Sequence, residues 1–217
     1  MIKLFFAEIG NDLETIKLKN IILYISQHKQ RMMKQLTIRN KLVLYSELLL
    51  RIVLCKELNI SNKEIVLEYN DYGKPFLRNY NNFYFNVSHT ENAIVVAISD
   101  ACIGIDIEKI RTIDLSIAKR FYADFENKYL FRSQENIYER FFEIWTKKEA
   151  YIKYIGKGLS ISLDSFDIFN TTISKQIRFL KKRDYIISIC SDSCTPKYNT
   201  VEISEAQIEA LALNTFI

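Results

Sequence analysis

Apolar residues recur at intervals of three and four along several parts of the chain, a spacing that places side chains on one face of an α-helix. This pattern predicts helices over residues 13–24, 42–58, 116–130 and 137–155. The last two are also rich in residue types that favour helices. We therefore expect helices in both halves of the sequence.

Strands are predicted between these helices by alternating or continuous runs of β-branched and aromatic residues. Residues 65–69 alternate in this way before the turn sequence NDYGKP. Within residues 83–99, the runs FYFNVS and AIVVAIS flank a short polar segment, which is typical of a β-hairpin. Residues 103–107 form a further β-like run, and FDIF and YIISIC follow later. Interleaved helices and antiparallel strands indicate the α+β class.

The composition is that of an ordinary globular protein. Of the 217 residues, 48% are hydrophobic, which is enough for one substantial core or two small packed halves. The N-terminus lacks a signal-peptide pattern, and no apolar stretch approaches the roughly eighteen residues of a membrane span. We therefore expect a cytoplasmic protein with no membrane partner. No proline-rich linker or short repeat marks a domain boundary.

The four cysteines contain no CxxC pair, and the sequence has only two histidines. A structural zinc site needs four such ligands at suitable spacing, so it is not expected here. Free thiols are the simpler interpretation.

The net charge of +4 is too small to indicate a nucleic-acid-binding protein, which usually carries a stronger basic field. Positive charge is nevertheless dense in one segment of the N-terminal half. That segment fits either a solvated surface or the binding of an acidic ligand or partner. Its basic residues are Lys29, Arg31, Lys34, Arg39 and Lys41.

Two carboxylates follow Gly104 in the segment IGIDIEKI. In a strand, Asp106 and Glu108 lie on the same face about 7 Å apart, so both can reach one cation. Carboxylate oxygens are the ligands that magnesium prefers. A strand with a charged, solvated face gives the same pattern, so this motif alone leaves both interpretations open.

A second motif, WTKKEAYIK, places Trp145, Glu149 and Lys153 at four-residue intervals, on one stripe of a helix. A carboxylate and an ammonium group therefore share that stripe. The simpler interpretation is a Glu-to-Lys surface pair beside a tryptophan packed in the core.

A third motif, NVSHT, contains Ser88 and His89 in a predicted strand, with Lys74 a short way upstream. Adjacent strand residues point to opposite faces, and no GxSxG turn surrounds the serine, so a hydrolase nucleophile is not indicated. A hydroxyl and an imidazole near lysines are better suited to holding phosphate.

Together these motifs resemble the phosphopantetheinyl transferases of the larger, surfactin-synthetase-type group, which carry (I/V)G(I/V)D and, some forty residues later, WxxKEAxxK. Ile103 to Asp106 and Trp145 to Lys153 match the two patterns. The resemblance extends over six blocks in the same order, covering roughly residues 72–166. These blocks are YGKPFL, FNVSH, IGIDIEKI, IAKRFY, WTKKEAYIK and GKGLSISLDSF.

The resemblance implies a reaction in which a carrier-protein serine attacks the β-phosphorus of coenzyme A and adenosine 3′,5′-bisphosphate leaves. It implies that Asp106, Glu108 and Glu149 bind Mg²⁺, and that Lys153 stabilises charge on the diphosphate. It also implies two candidates for the general base, Glu126 and Glu149, between which the sequence does not choose.

The resemblance further implies a set of residues that contact coenzyme A. These are Lys29, Lys74, Ser88, His89, Lys148 and Lys153. One position departs from the family pattern, because the family's arginine aligns with Leu42. Lys41 lies beside that position, and we add it as a candidate for binding the 3′-phosphate of the coenzyme.

The fold implied by the resemblance is the α+β 4′-phosphopantetheinyl transferase fold, a pseudo-dimer of two similar halves. We place the halves at residues 1–102 and 103–217, with the active site in the cleft between them. The working unit is expected to be a monomer that binds an acyl- or peptidyl-carrier protein and no nucleic acid. The carrier is expected to dock near Phe121, Tyr122 and Phe125.

Two other functions stay open on the sequence alone. A family member that binds coenzyme A or carriers without turnover would account for the departure at Leu42, although the three acidic positions are intact. A small nucleic-acid-binding protein would use the basic segment and its aromatic neighbours, but no recognised motif supports it.

Overall fold

The computed structural model describes residues 1–12, 22–26, 30, 37–192 and 198–216. Within these residues the strands form a four-stranded sheet, a three-stranded sheet and a two-stranded ribbon. The strands are β1 (Ile2–Glu8), β2 (Leu67–Tyr69), β3 (Pro75–Leu77), β4 (Tyr84–Thr90), β5 (Ala93–Ser99), β6 (Ile103–Lys109), β7 (Ile177–Lys182), β8 (Tyr185–Ser191) and β9 (Tyr198–Glu202). The α-helices are α1 (Ile38–Leu58), α2 (Ser116–Phe121), α3 (Asp124–Phe131), α4 (Ile137–Ile155), α5 (Thr171–Gln176) and α6 (Glu205–Phe216).

The same order of elements occurs twice along the chain. In the first half, β1 pairs antiparallel with β5, the second strand of the β4–β5 hairpin. In the second half, β6 pairs antiparallel with β8, the second strand of the β7–β8 hairpin. A long helix lies between the first strand and the hairpin in each case, α1 in one half and α4 in the other. The fold is therefore α+β and contains two similarly built halves.

The two larger sheets pack face to face, and a long helix covers the outer side of each. Alternate residues of β1 show the division, because Phe5 faces the core beneath α1 while Leu4 and Phe6 face the second sheet. Ile105 and Ile187 are on the opposite side of this central layer. None of the described helices has the length and apolar character needed to cross a membrane.

The C-terminal elements return to the first half. β9 runs parallel to β1 and forms the edge of the four-stranded sheet, and α6 packs against α1. Residues 198–216 therefore share the core of the first half, although they follow the second half in the sequence. The division into 1–102 and 103–217 stays a prediction. It assigns β9 and α6 to the second half, although both pack against the first half.

The long helices begin and end where the local sequence allows. The side chain of Thr37 accepts a hydrogen bond from the backbone N–H of Asn40 at the start of α1. Asn59 caps the C-terminus of α1 and Gly156 caps that of α4, both with left-handed backbone conformations. Glycine adopts this conformation without strain, so Gly156 is a natural terminator.

Several predicted elements are confirmed. α1 contains the predicted helix 42–58, and α4 has the predicted bounds 137–155. The hairpin over 83–99 and the strand starting at Ile103 are also present. The predicted helix 13–24 lies mostly outside the described residues, and its last three residues form a short 3₁₀ turn.

Two predictions for the second half need correction. The helix over 116–130 is two helices, because the backbone is extended at Tyr122. FDIF, residues 166–169, is a turn and not a strand. Here the buried N–H of Ile168 donates to the Glu126 carboxylate, and Phe166 and Phe169 pack against other aromatic rings.

Candidate active site

The motif strand and the motif helix meet at a position where only glycine fits. A Cβ atom at Gly104 of β6 would lie 2.1 Å from the carbonyl oxygen of Ala150 and 2.2 Å from the backbone nitrogen of Tyr154. Both atoms belong to α4, so the glycine lets the helix approach the strand at backbone distance. This contact brings the acidic residues of β6 close to Glu149 and Lys153 of α4.

Asp106 is the centre of the site. Its side chain is 8% exposed, and Oδ1 accepts hydrogen bonds from Ser88 Oγ at 2.7 Å and from Lys153 Nζ at 2.6 Å. Lys153 also donates to Ser88 Oγ at 2.9 Å. Oδ2 of Asp106 is buried and has no hydrogen-bond partner in the described part of the protein. A buried carboxylate oxygen without a partner is unfavourable and marks a position suited to a cation or another donor.

Glu108 lies two residues further along the same strand. Its Oε2 atom accepts hydrogen bonds from Thr90 Oγ1 at 2.8 Å and from an Arg111 nitrogen at 3.0 Å. The side chain is 21% exposed, so this end of the site is open to solvent. Thr90 and Ser88 therefore play equivalent parts. Each hydroxyl of β4 donates to one carboxylate of β6, Thr90 to Glu108 and Ser88 to Asp106.

Glu149 faces the same group of charges from α4. Burial raises the pKa of its carboxyl, and the negative charges of Asp106 and Glu108 raise it further, while Lys153 lowers it. The two β6 carboxylates are therefore electrostatic neighbours of Glu149. The three acidic residues predicted from the motifs lie in one region of the molecule.

The three carboxylates do not, however, form a closed metal cage. Among the described residues, no three His, Cys, Asp or Glu side chains are arranged closely enough to hold a metal ion. The ammonium group of Lys153 lies beside Asp106 and supplies the compensating positive charge there. The predicted joint ligation by Asp106, Glu108 and Glu149 stays a prediction.

A cavity of about 280 Å³ lies next to this group of charges. Its wall includes Glu149 and Lys153 on one side and the loop around Lys74 on the other. Lys74 donates to the carbonyl oxygens of Ile103 and Tyr154, each at 3.1 Å, and burial lowers its pKa. Lys74 therefore links the first half to both motif elements at the edge of the cavity.

The other residues predicted to contact coenzyme A are distributed differently. His89 is exposed on β4, and alternation along the strand directs its side chain to the face opposite Ser88. Its contact with coenzyme A stays a prediction. Lys29 lies outside the described residues. Lys41 is 3% exposed and donates to the carbonyl oxygens of Gly10 and Asp12 while pairing with Glu205. Its ammonium group is engaged inside the first half, so we leave Lys41 out of the proposed coenzyme site.

Glu126 and Lys148 form a buried ion pair with each other. Both side chains are 0% exposed, and Lys148 Nζ lies 2.6 Å from each Glu126 oxygen. Backbone N–H groups of Ala123 and Ile168 also donate to Glu126. Burial raises the pKa of Glu126 and lowers that of Lys148, and the attraction between the two charges opposes both shifts. The structure thus joins α3 to α4 through these residues and does not bring them to the Asp106 group.

Family comparisons agree with the two-part organisation of this site. Residues 102–201 match the family model of the 4′-phosphopantetheinyl transferase superfamily, and residues 15–101 match the model described as 4′-phosphopantetheinyl transferase, N-terminal. The 4′-phosphopantetheinyl transferase gsp of Aneurinibacillus migulanus is 37% identical over 175 residues, which cover 76% of this chain and 70% of that protein. The chain belongs to the 4′-phosphopantetheinyl transferases.

Two further relatives align over shorter segments of this transferase. The 4′-phosphopantetheinyl transferase psf-1 of Bacillus pumilus is 41% identical over 124 residues, 57% of this chain and 53% of that protein. The 4′-phosphopantetheinyl transferase Sfp of Bacillus subtilis is 36% identical over 126 residues, 58% of this chain and 56% of that protein. The chain thus spans about half the length of these two relatives.

Sequence reasoning missed two residues of the transferase site, Asn86 and Thr90. Both lie on β4 on the same side as Ser88, and both contact β6. A signal for them exists in the sequence, because polar residues alternate at 86, 88 and 90 within a β-rich run. This alternation indicates a strand face that meets a polar surface.

Proposed function

We propose that the protein transfers the 4′-phosphopantetheine group of coenzyme A to a serine of an acyl- or peptidyl-carrier protein and releases adenosine 3′,5′-bisphosphate. Family membership supports this activity. The main structural support is the Asp106 carboxylate beside a cavity. One of its oxygens is buried without a partner among the described residues, and the other is bound to Lys153. The substrates are therefore coenzyme A and a carrier protein.

In the proposed reaction, the serine oxygen of the carrier forms a bond to the β-phosphorus of coenzyme A. The bond from that phosphorus to the bridging oxygen breaks, and the electron pair leaves with adenosine 3′,5′-bisphosphate. The serine proton moves to a base of the enzyme. Phosphoryl transfer depends mainly on positioning and on stabilising charge on the transferred group, which is the task of the polar residues in the cleft.

We propose Glu149 as the base that takes the serine proton. Its carboxylate lines the cavity proposed for coenzyme A, and a general base must lie near the proton that it takes. Glu126, the other candidate, is fully buried and has both oxygens bound by Lys148. This contact pattern favours Glu149.

Mg²⁺ is proposed as the cofactor, and the chemistry of the donor set fits it. Asp106 would hold the ion through its unpartnered oxygen, with Glu108 and Glu149 as the other carboxylate ligands. When bound, the ion would neutralise negative charge on the diphosphate. Lys153 already lies beside Asp106 and is proposed to stabilise the same charge from the protein side.

Coenzyme A is proposed to lie in the cavity lined by Lys74, Lys153 and Glu149. The carrier is proposed to approach over α3, where Phe125 is 57% exposed. Tyr122 does not belong to that surface, because it is 3% exposed and donates a hydrogen bond to the carbonyl oxygen of Phe141. A cytoplasmic location and a monomeric working unit are further proposals.

The direct test is to incubate the purified protein with coenzyme A, Mg²⁺ and several apo-carriers, and to follow the carriers by intact mass spectrometry. We expect a mass increase of one phosphopantetheine group on the carrier serine, and no increase when EDTA replaces Mg²⁺. A protein that only binds carriers leaves their mass unchanged, and this result with every carrier would refute the proposal.

Variants of the acidic residues test the assignment of the site. Asp106→Ala and Glu149→Gln are expected to abolish turnover, while Asp184→Asn, at an exposed turn between β7 and β8, serves as the matched control. Coenzyme binding measured by calorimetry should persist in Glu149→Gln. Full turnover in that variant would remove Glu149 as the base.

A further inference from the structure

The two sheets meet along β4 and β6, which are edge strands of different sheets. In the described structure, β4 pairs with β5 and β6 pairs with β8, and no backbone ladder joins β4 to β6. The two strands nevertheless lie side by side, as the bonds between Ser88 and Asp106 and between Thr90 and Glu108 show. Side-chain hydrogen bonds therefore connect β4 to β6, whereas backbone hydrogen bonds connect the strands within each sheet.

Asn86 makes the third of these contacts, and it differs from the other two. Its Oδ1 atom accepts a hydrogen bond of 2.9 Å from the backbone N–H of Ile105. Asn86 is 5% exposed and Ile105 is 0% exposed, so water does not readily replace this bond. A buried N–H group that loses its acceptor is strongly unfavourable.

The hydrogen bond from Ile105 to Asn86 lies next to the central carboxylate of the site. Ile105 directly precedes Asp106, so the bond fixes the β6 backbone one residue before the central carboxylate. The serine that contacts Asp106 is two residues after Asn86 on β4. Asn86 also lines the cavity beside Glu149 and Lys153. The amide thus sets the alignment of the two strands at the level of the reacting groups.

We propose that Asn86 is a positioning residue of the transfer reaction, which holds β6 against β4 and so keeps the Asp106 carboxylate aligned with Ser88 and Lys153. It acts through the backbone N–H of Ile105. This inference rests on the proposed transferase function for its kinetic consequence, while the hydrogen bond itself is testable without any turnover.

The first measurement is amide hydrogen exchange of the backbone N–H of Ile105, followed by NMR or by mass spectrometry with residue resolution. We expect a protected amide in the wild type and faster exchange in Asn86→Ala, with little change at the β6 amides that donate to β8. Asn86→Asp keeps an acceptor oxygen at the same place, so protection should return. Equal exchange in the wild type and Asn86→Ala would overturn the proposal.

The second measurement is steady-state kinetics with coenzyme A and an apo-carrier. Misplacement of a reacting group by a fraction of an ångström to one ångström lowers kcat by about tenfold to a hundredfold. We expect that loss in Asn86→Ala, with a much smaller change in the KM for the carrier. An unchanged kcat at saturating substrates would contradict the positioning role.

Asn62→Ala provides the matched control. The Asn62 side chain also joins two segments, because it donates to the carbonyl oxygen of Tyr24 and accepts from Arg51, but it lies in the first half away from the cleft. It should lower stability and leave kcat unchanged. An equal kcat loss in both variants would reduce the Asn86 effect to general destabilisation and refute the proposal. An inactive wild type refutes the proposed function instead, and the exchange experiment still decides the hydrogen bond.

Discussion

The ammonium group of Lys153 lies 2.6 Å from Oδ1 of Asp106, and this ion pair connects the motif helix α4 to the motif strand β6. Ser88 donates to the same oxygen from the first half of the molecule. The central carboxylate is thus held from both halves, and a change in any of these three side chains acts on the same atom.

Replacement of Lys153 by Met should lower kcat by at least about a hundredfold, because the variant lacks the positive charge that stabilises the transferred group. The measurement is turnover of an apo-carrier at saturating coenzyme A. Lys63→Met, at an exposed lysine of the first half, is the control and should keep wild-type turnover. If Lys153→Met were as active as this control, the proposed role of Lys153 would be wrong.

Replacement of Gly104 by Ala should destabilise the fold by about 3 kcal/mol or more, since overpacking of this kind forces backbone shifts. The added methyl group would meet backbone atoms of α4 at 2.1 and 2.2 Å, and backbone cannot yield as a flexible side chain does. Urea unfolding measures the effect. In Gly10→Ala the nearest atom is a Glu205 oxygen at 3.4 Å, so that control should cost about 1 kcal/mol or less. Equal stabilities of the two variants would argue against the close approach of α4.

Replacement of Glu126 by Gln should cost about 3–5 kcal/mol of stability, because it leaves the Lys148 ammonium buried without its counter-charge. The double variant Glu126→Gln with Lys148→Met removes both charges and should recover much of the loss. Thermal unfolding of the two variants checks this expectation.

The same double variant also decides between a structural and a catalytic role for Glu126. If the pair only joins α3 to α4, the double variant should transfer phosphopantetheine at a rate near that of the wild type at low temperature. Complete loss of turnover in a folded double variant would instead support Glu126 as the base.

Cys55 and Cys190 should be unreactive toward iodoacetamide in the native protein. Burial raises the pKa of both thiols, so the thiolate, which is the reactive form, is scarce at neutral pH. Raising the pH from neutral to mildly alkaline should therefore increase labelling much less in the folded than in the unfolded protein. Peptide mapping by mass spectrometry locates the label, and rapid native labelling at Cys190 would contradict the prediction.

The parts of the fold that sequence periodicity predicted are those whose signal is local. α1, α4 and the β4–β5 hairpin each carry their pattern within a single continuous segment. The turn at residues 166–169 was missed because its backbone is satisfied by Glu126, some forty residues away. A periodicity pattern covers only neighbouring residues, so it cannot predict a partner this far away in the sequence.

The residues of the candidate site also divide into those predicted from local motifs and those that depend on distant neighbours. Asp106, Glu149 and Lys153 stand in compact motifs, and the structure places them in one region. Lys41 lies beside the position where the family has an arginine, which suggested that it binds phosphate. In the structure its ammonium group instead pairs with Glu205 and donates to the carbonyl oxygen of Gly10. Whether a lysine is available to a ligand depends on its tertiary neighbours, which the sequence does not display.

The parallel pairing of β1 with β9 affects how the chain folds during synthesis. β1 leaves the ribosome before β9, which starts at Tyr198, so one edge of this apolar strand stays unpaired until β9 has been synthesised. Open strand edges of this kind invite intermolecular pairing. A nascent chain stalled before residue 198 should therefore aggregate or recruit chaperones more readily than one released after residue 202.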